Sequence, residues 1–103
     1  MTKPRDYFTG KQEEFKRSEV QIAPYNPRKI SPQQKATLKR SIRKYGVVGG
    51  ITVNKQTMTI VGGNQKVTIV DEIMGYPEKD YTLLAEAIDV DYKTEVELNL
   101  MLN

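Results

Sequence analysis

The chain has no cysteine and no histidine. Without cysteine it carries no disulfide, no thiol nucleophile and no thiolate metal site. Without histidine, imidazole ligation and histidine-based acid–base catalysis are excluded as well. No stretch approaches the roughly 18 consecutive apolar residues of a membrane span. The polar N-terminus lacks the apolar middle of a signal peptide, so a cytoplasmic protein is expected. Internal repeats and low-complexity tracts are also missing. Acids are absent from the stretch Arg28 to Lys44, which holds seven basic residues.

What remains is a chain of 103 residues with a net charge of +3. That length fits one domain with a single modest core. The small net charge conceals a polarised chain, because Asp71 to Asn103 carries nine acids against only Lys79 and Lys93. Such a distribution suits a polyanion partner, and equally suits pairing of one half of the molecule with the other.

Residues 1–17 are charged and follow no sustained period, which predicts a flexible arm that docks through Tyr7, Phe8 or Phe15. Ser18 to Ala23 alternates as a strand does, with Val20 and Ile22 on one face. Pro24-Tyr25-Asn26-Pro27 then forms a stiff loop. Ser31, Pro32 and Gln34 make the start of a first helix, with a capping box and proline at the first position. Leu38, Ile42 and Tyr45 define its buried face, and Gly46 supplies the stop. Lys35, Lys39 and Arg43 recur every four residues as a stripe on the exposed side, with Arg40 and Lys44 beside it.

Val47 to Val53 reads as a turn into a strand, and Met58 to Val61 as its hairpin partner. A second helix is expected over Asn64–Met74, with Val67, Val70, Ile73 and Met74 inward and Gly75 as its end. A last strand lies around Leu84–Val90, with Ala85, Ala87 and Asp89 on one side. Thr94 and Glu97 read as the capping box of a third helix. Its apolar residues Val96, Leu98, Leu100, Met101 and Leu102 wrap too widely for one face. The chain stops at Asn103 without a cap, which reads as a truncation from a longer protein. Tyr45 and Tyr76 are expected at the core's edge.

The segment with the most chemistry is Ile60-Val61-Gly62-Gly63-Asn64-Gln65-Lys66, a strand turning sharply into a helix. Two glycines let a ligand approach the backbone. The helix start offers unpaired N–H groups and a positive dipole end, with Lys66 in reach, which is a recipe for an anion or phosphate site. An ordinary strand-to-helix turn is built in the same way.

Four segments in this order, Ile22–Arg28, Leu38–Gly46, Val48–Val53 and Ile60–Lys66, resemble the N-terminal domain of ParB-type partition proteins. That domain belongs to the ParB/sulfiredoxin superfamily and also occurs as a ParB-like nuclease domain. The resemblance covers residues 18–103, and its nearest look is to the domains of phages and mobile elements. It implies a small α+β domain, a mixed sheet of about four strands packed by three helices. It also implies a pocket for CTP, ATP or ADP, built from the loop before the first helix, the turn from Gly46 to Val53 and the glycine turn. Asn26, Arg28, Gly46, Gly62, Gly63, Asn64, Gln65 and Lys66 would then hold the nucleotide.

In the family's Gly-Glu-Arg-Arg motif, Gly63 matches the glycine, Asn64 stands for the glutamate, and Gln65 and Lys66 stand for the arginines. In the phage-type Gly-Gly-His-Gln-Arg pattern, Gly62, Gly63, Gln65 and Lys66 match while Asn64 replaces the histidine. Asn103 matches the asparagine of a downstream Glu-Asn motif. Asparagine is no base and adds no charge to a magnesium site, which weighs against metal-dependent hydrolysis. Lysine keeps the charge of arginine and loses its bidentate grip on phosphate. Sulfiredoxin chemistry is excluded, since its cysteine is missing.

The expected function is a nucleotide-binding, DNA-associated accessory domain, with Lys35, Lys39, Arg40, Arg43 and Lys44 against phosphates of DNA. No aromatic interleaves that stripe, which argues against a single-strand stacking platform. A ParB-like nuclease or nucleotide-dependent phosphotransferase is one alternative. A protein-interaction module with a vestigial pocket is another. A homodimer or a fused downstream domain is compatible with all three. No metal site is expected, because Asp71 and Glu72 are adjacent on a helix and diverge.

Overall fold

A computed structural model describes residues 10–102. The chain forms a five-stranded mixed sheet and three helices, an α+β architecture. Strand β1 is Lys11–Lys16, β2 is Gln21–Ile22, β3 is Thr52–Asn54, β4 is Thr59–Gly62 and β5 is Thr82–Ile88. Helix α1 is Pro32–Tyr45, α2 is Asn64–Met74 and α3 is Tyr92–Leu102. The strand order is β1-β5-β3-β4-β2. Pairings β1–β5 and β3–β4 are antiparallel, while β3–β5 and β2–β4 are parallel.

The fifth strand is β1, which occupies sequence expected to be an arm. Its residues Lys11–Lys16 pair with Thr82 to Ala87 of β5, and Phe15, opposite Leu83, is buried. Only Phe15 gives the segment an apolar anchor, so no alternation betrays it in the sequence. The remainder of the expected arm, with Tyr7 and Phe8, lies outside the described residues. The strand expected over Ser18–Ala23 shrinks to Gln21–Ile22, preceded by a 3₁₀ turn at Arg17–Glu19. Arg17 organises that turn. Its guanidinium makes two hydrogen bonds to Asp71, at 2.8 and 3.0 Å, one to the Val20 carbonyl, and stacks on Tyr76.

The core gathers Phe15, Val20, Ile51, Val53, Ile60, Val67, Leu83, Ala85 and Ala87. In β5 the alternation holds as Leu83, Ala85 and Ala87 inward, and Asp89 falls beyond the strand. In α2 Val67 is buried as expected, Ile69 joins it, and Met74 is exposed. Helix α1 departs most. It buries none of its residues, Leu38 and Ile42 are half-buried, and Tyr45 is 66% exposed. Helix α3 starts at Tyr92, with Asp91 accepting from the Thr94 N–H, so Thr94 lies inside the first turn. Its buried residues are Glu95 and Asn99, while Leu100, Met101 and Leu102 are exposed. No helix among the described residues is long and apolar enough to cross a membrane.

Candidate functional site

Strand β4 ends at Gly62, and Gly63 adopts the left-handed conformation (φ 86°, ψ 21°) before α2 begins. A Cβ on Gly63 would stand 2.6 Å from Ile51 Cδ1 and 3.2 Å from the Gly50 carbonyl oxygen. Both the angle and the space therefore require glycine. No side chain caps α2, so its first N–H groups and its positive dipole end are left to whatever fills the turn.

A cleft of about 200 Å³ opens there. Gly49, Gly50, Gly62 and Gly63 give it a wall of backbone, Arg28 and Lys66 bring two cations, and Leu38 and Leu102 close it with apolar surface. The Lys66 ammonium lies so near Gly49 that a Cβ on that residue would come within 2.6 Å of Nζ. Arg28 and Lys66 form no ion pair among the described residues, so their charge is available to an anion.

A second cleft of about 110 Å³ adjoins the first and shares Arg28 and Gln65 with it. Gln65 donates to the Arg28 carbonyl and so fixes the loop between the two spaces. Asn26, at φ 47°, and Asn64 line this second cleft. The Asn64 amide is committed to the frame: it accepts from the Ala23 N–H at 2.9 Å and donates to the Ile60 carbonyl at 2.9 Å. Gly46 ends α1 and lines neither cleft.

Beneath the loop sits a buried carboxylate that periodicity could not reveal. Glu95 is 1% exposed and accepts hydrogen bonds from the Tyr25 and Thr57 hydroxyls and, at 2.8 Å, from the Asn54 amide. Burial disfavours its charge, but the three donors outweigh burial and hold the carboxyl below its ordinary range. The Tyr25 phenol is driven upward by burial and by its bond to Glu95. Tyr25 thus ties the loop of Asn26 and Arg28 to α3. The only sequence hint was a polar i, i+4 pair, Glu95 and Asn99, inside an apolar helix.

The cations of α1 divide into two groups. Lys35 and Lys39 turn towards α2 and meet Glu72, at 2.6 and 3.7 Å, rather than standing on the open side as expected. Arg40, Arg43 and Lys44 are exposed and form no ion pair among the described residues. Asp71 is bound by Arg17 and by the Tyr81 hydroxyl at 2.6 Å, so neither it nor Glu72 lines a cleft. Among the described residues no three acidic, histidine or cysteine side chains cluster in a way that could hold a metal. Asn103 lies outside the described residues.

No family model and no curated protein matches the chain. Solved structures do match. The C-terminally truncated chromosome-partitioning protein ParB from Caulobacter crescentus, complexed with CTP-γ-S, is similar at TM-score 0.67 and 21% identity, over 89% of this chain and 52% of that one. A Pnob8-like ParB-N domain is similar at TM-score 0.63 and 16% identity, over 92% of this chain and 37% of that one. The chain spans about half or less of either structure. At these identities the likeness is one of fold, and the fold is that of a ParB N-terminal domain.

Proposed function

We propose that this domain binds a nucleotide, with the phosphates in the glycine-walled cleft and the nucleoside directed into the adjoining space beside Tyr25 and Asn26. The observation that carries the reading is the meeting of an uncapped helix start, four glycines and two unpaired cations, Arg28 and Lys66, in one cleft. That combination offers backbone N–H groups, dipole and charge to a polyphosphate. The similar Caulobacter protein, complexed with CTP-γ-S, supports the same reading. CTP, ATP and ADP are the candidates. The pattern Gly62-Gly63-Asn64-Gln65-Lys66 favours a phage or mobile-element setting. In it, the outward cations Arg40, Arg43 and Lys44 would contact duplex DNA. Binding is favoured over hydrolysis or nuclease action, because no carboxylate lines either cleft and the one beneath the loop, Glu95, is engaged by three donors.

The test is thermal stability with each nucleotide. Ligand about 100-fold above Kd adds about 2.7 kcal/mol, which raises Tm by roughly 10 °C or more for a chain of this size. Lys66→Ala should abolish the rise while leaving the unliganded Tm within about 4 °C, as expected of a cleft side chain outside the core. Absence of a shift with all three nucleotides at millimolar concentration would refute the reading.

A further inference from the structure

From Arg28 to Lys44 the chain supplies no acid, so any anion facing α1 must come from elsewhere in the fold. Glu72 on α2 is that anion. One of its carboxylate oxygens takes the Lys35 ammonium at 2.6 Å and the other reaches the Lys39 ammonium at 3.7 Å. Two oxygens on one negative centre, each facing its own lysine, reproduce what the two non-bridging oxygens of a phosphodiester would offer. The three side chains are 34–45% exposed, so water and solutes reach them. Pairs of this kind are weak and open to competition.

We propose that Glu72 is an internal substitute for phosphate that masks Lys35 and Lys39, and that duplex DNA docking on α1 competes with it for both lysines. The proposal rests on the reading of α1 as a DNA-facing helix and adds its regulation. Arg40, Arg43 and Lys44 make the first contact, since no carboxylate among the described residues holds them. Release of Glu72 then extends the cationic face from three side chains to five over nine helical steps. At 1.5 Å per residue this is about 13 Å, a length in which duplex DNA presents roughly eight charges. In the free domain those two pairs are the polar link between α1 and α2, and α1 buries no residue of its own. Whatever removes the Glu72 charge therefore both exposes the lysines and loosens α1.

The experiment measures binding of a short labelled duplex across a salt series. Each phosphate neutralised contributes about −0.9 to the slope of log K against log salt. Glu72→Gln should raise affinity at about 50 mM salt by three- to tenfold and leave the slope near that of the wild type, whose complex also brings both lysines to phosphate. Glu97→Gln removes an equal charge from an exposed site on α3 that pairs with no lysine among the described residues, and should change affinity less than twofold and the slope not at all. Adding Lys35→Gln and Lys39→Gln to Glu72→Gln should make the slope shallower than that of the wild type by up to about 1.8. If Glu72→Gln instead matches Glu97→Gln while Arg40→Ala with Arg43→Ala still weakens binding, the masking is refuted and the DNA reading stands. If no form of the protein binds the duplex at about 20 mM salt, where electrostatic binding is strongest, both are refuted. Circular dichroism of each variant guards the comparison. Should Glu72→Gln lose helix, Lys35→Gln with Lys39→Gln in the otherwise native chain decides: a loss of affinity smaller than that of Arg40→Ala with Arg43→Ala supports the masking, and an equal loss overturns it.

Discussion

Gly63 carries the sharpest constraint in the molecule. Its left-handed backbone aims α2 at the cleft, and Ile51 and the Gly50 carbonyl occupy the space a side chain would need. Gly63→Ala combines a backbone strain of roughly 1–3 kcal/mol with a displaced core residue, since Ile51 is only 5% exposed. Chemical denaturation should show a fall of at least the strain term with an unchanged m-value. The same substitution at Gly75, which is also left-handed (φ 83°, ψ 28°) but has only the Lys79 side chain at 3.9 Å, brings the strain without the clash and should cost less. Equal losses at both positions would show that Ile51 yields freely and that the turn is less tightly specified than its geometry implies. Asn64 is a different kind of residue. The resemblance places it where relatives carry an acid, and its position in the motif suggests ligand contact. In the fold its amide clips Ala23 to Ile60, so it builds the cleft wall from behind.

At the scale of elements, α1 is stable at its ends and loosely held along its length. Ser31 and Gln34 satisfy each other's backbone N–H groups at 3.1 and 2.9 Å, and Gly46 closes the helix. Between those caps nothing is buried, and the ion pairs to Glu72 are its polar tether to α2. A helix held this way opens below the free energy of global unfolding. Native-state hydrogen exchange should show α1 amides exchanging faster than those of β4, whose four residues are all buried. Ser31→Ala should lower α1 protection by about 1 kcal/mol without altering β4. Protection of α1 equal to that of β4 would contradict the picture. The caps of α1 were legible in the sequence because they are local, with donor and acceptor three residues apart. Its exposure was not, because an amphipathic stripe tells which face prefers burial and not whether a surface arrives to bury it. β1 was hidden for the converse reason: Lys11–Lys16 becomes a strand only because β5 offers it an edge. In α3 the buried face is polar, so its apolar residues, which wrap too widely for one face, gave no buried side to read, and Leu100 and Met101 stand exposed. The glycine turn was read correctly as strand into helix, since glycine at a sharp boundary is a local signal too.

Across the whole molecule, the charge asymmetry of the sequence is only partly cancelled by folding. Four ion pairs join the described residues, and two of them spend the same carboxylate, Glu72. Carboxylates nevertheless set the acid limit of the fold. Glu72, Asp80 and Asp91 are held below their ordinary range chiefly by Lys35, by Ser18 and by the Thr94 N–H respectively, and Glu95 by its three donors. A depressed folded value means that the unfolded chain binds protons first as pH falls. The stabilisation is complete above the ordinary values of 4.5 and 3.8 and is lost as pH drops through the lower folded ones. The phenols of Tyr25 and Tyr81 are raised by burial and by Glu95 and Asp71, so their contribution is complete below the ordinary value of 10.0 and disappears as pH climbs above it. Stability should therefore be flat from about pH 5 to 9 and decline on both sides, as equilibrium denaturation at each pH would record. Glu95 is the one of the four carboxylates that is buried, and its hydrogen bonds join the Tyr25 loop, β3 and α3. Glu95→Gln keeps the shape but not the charge, and it sets a second donor amide against that of Asn54. It should cost roughly 1.5–3 kcal/mol at neutral pH and make the acid limb shallower, because one depressed group is gone. An acid limb of unchanged slope in Glu95→Gln would assign acid sensitivity to the surface carboxylates, and with it remove Glu95 as the charge that holds the cleft loop to α3.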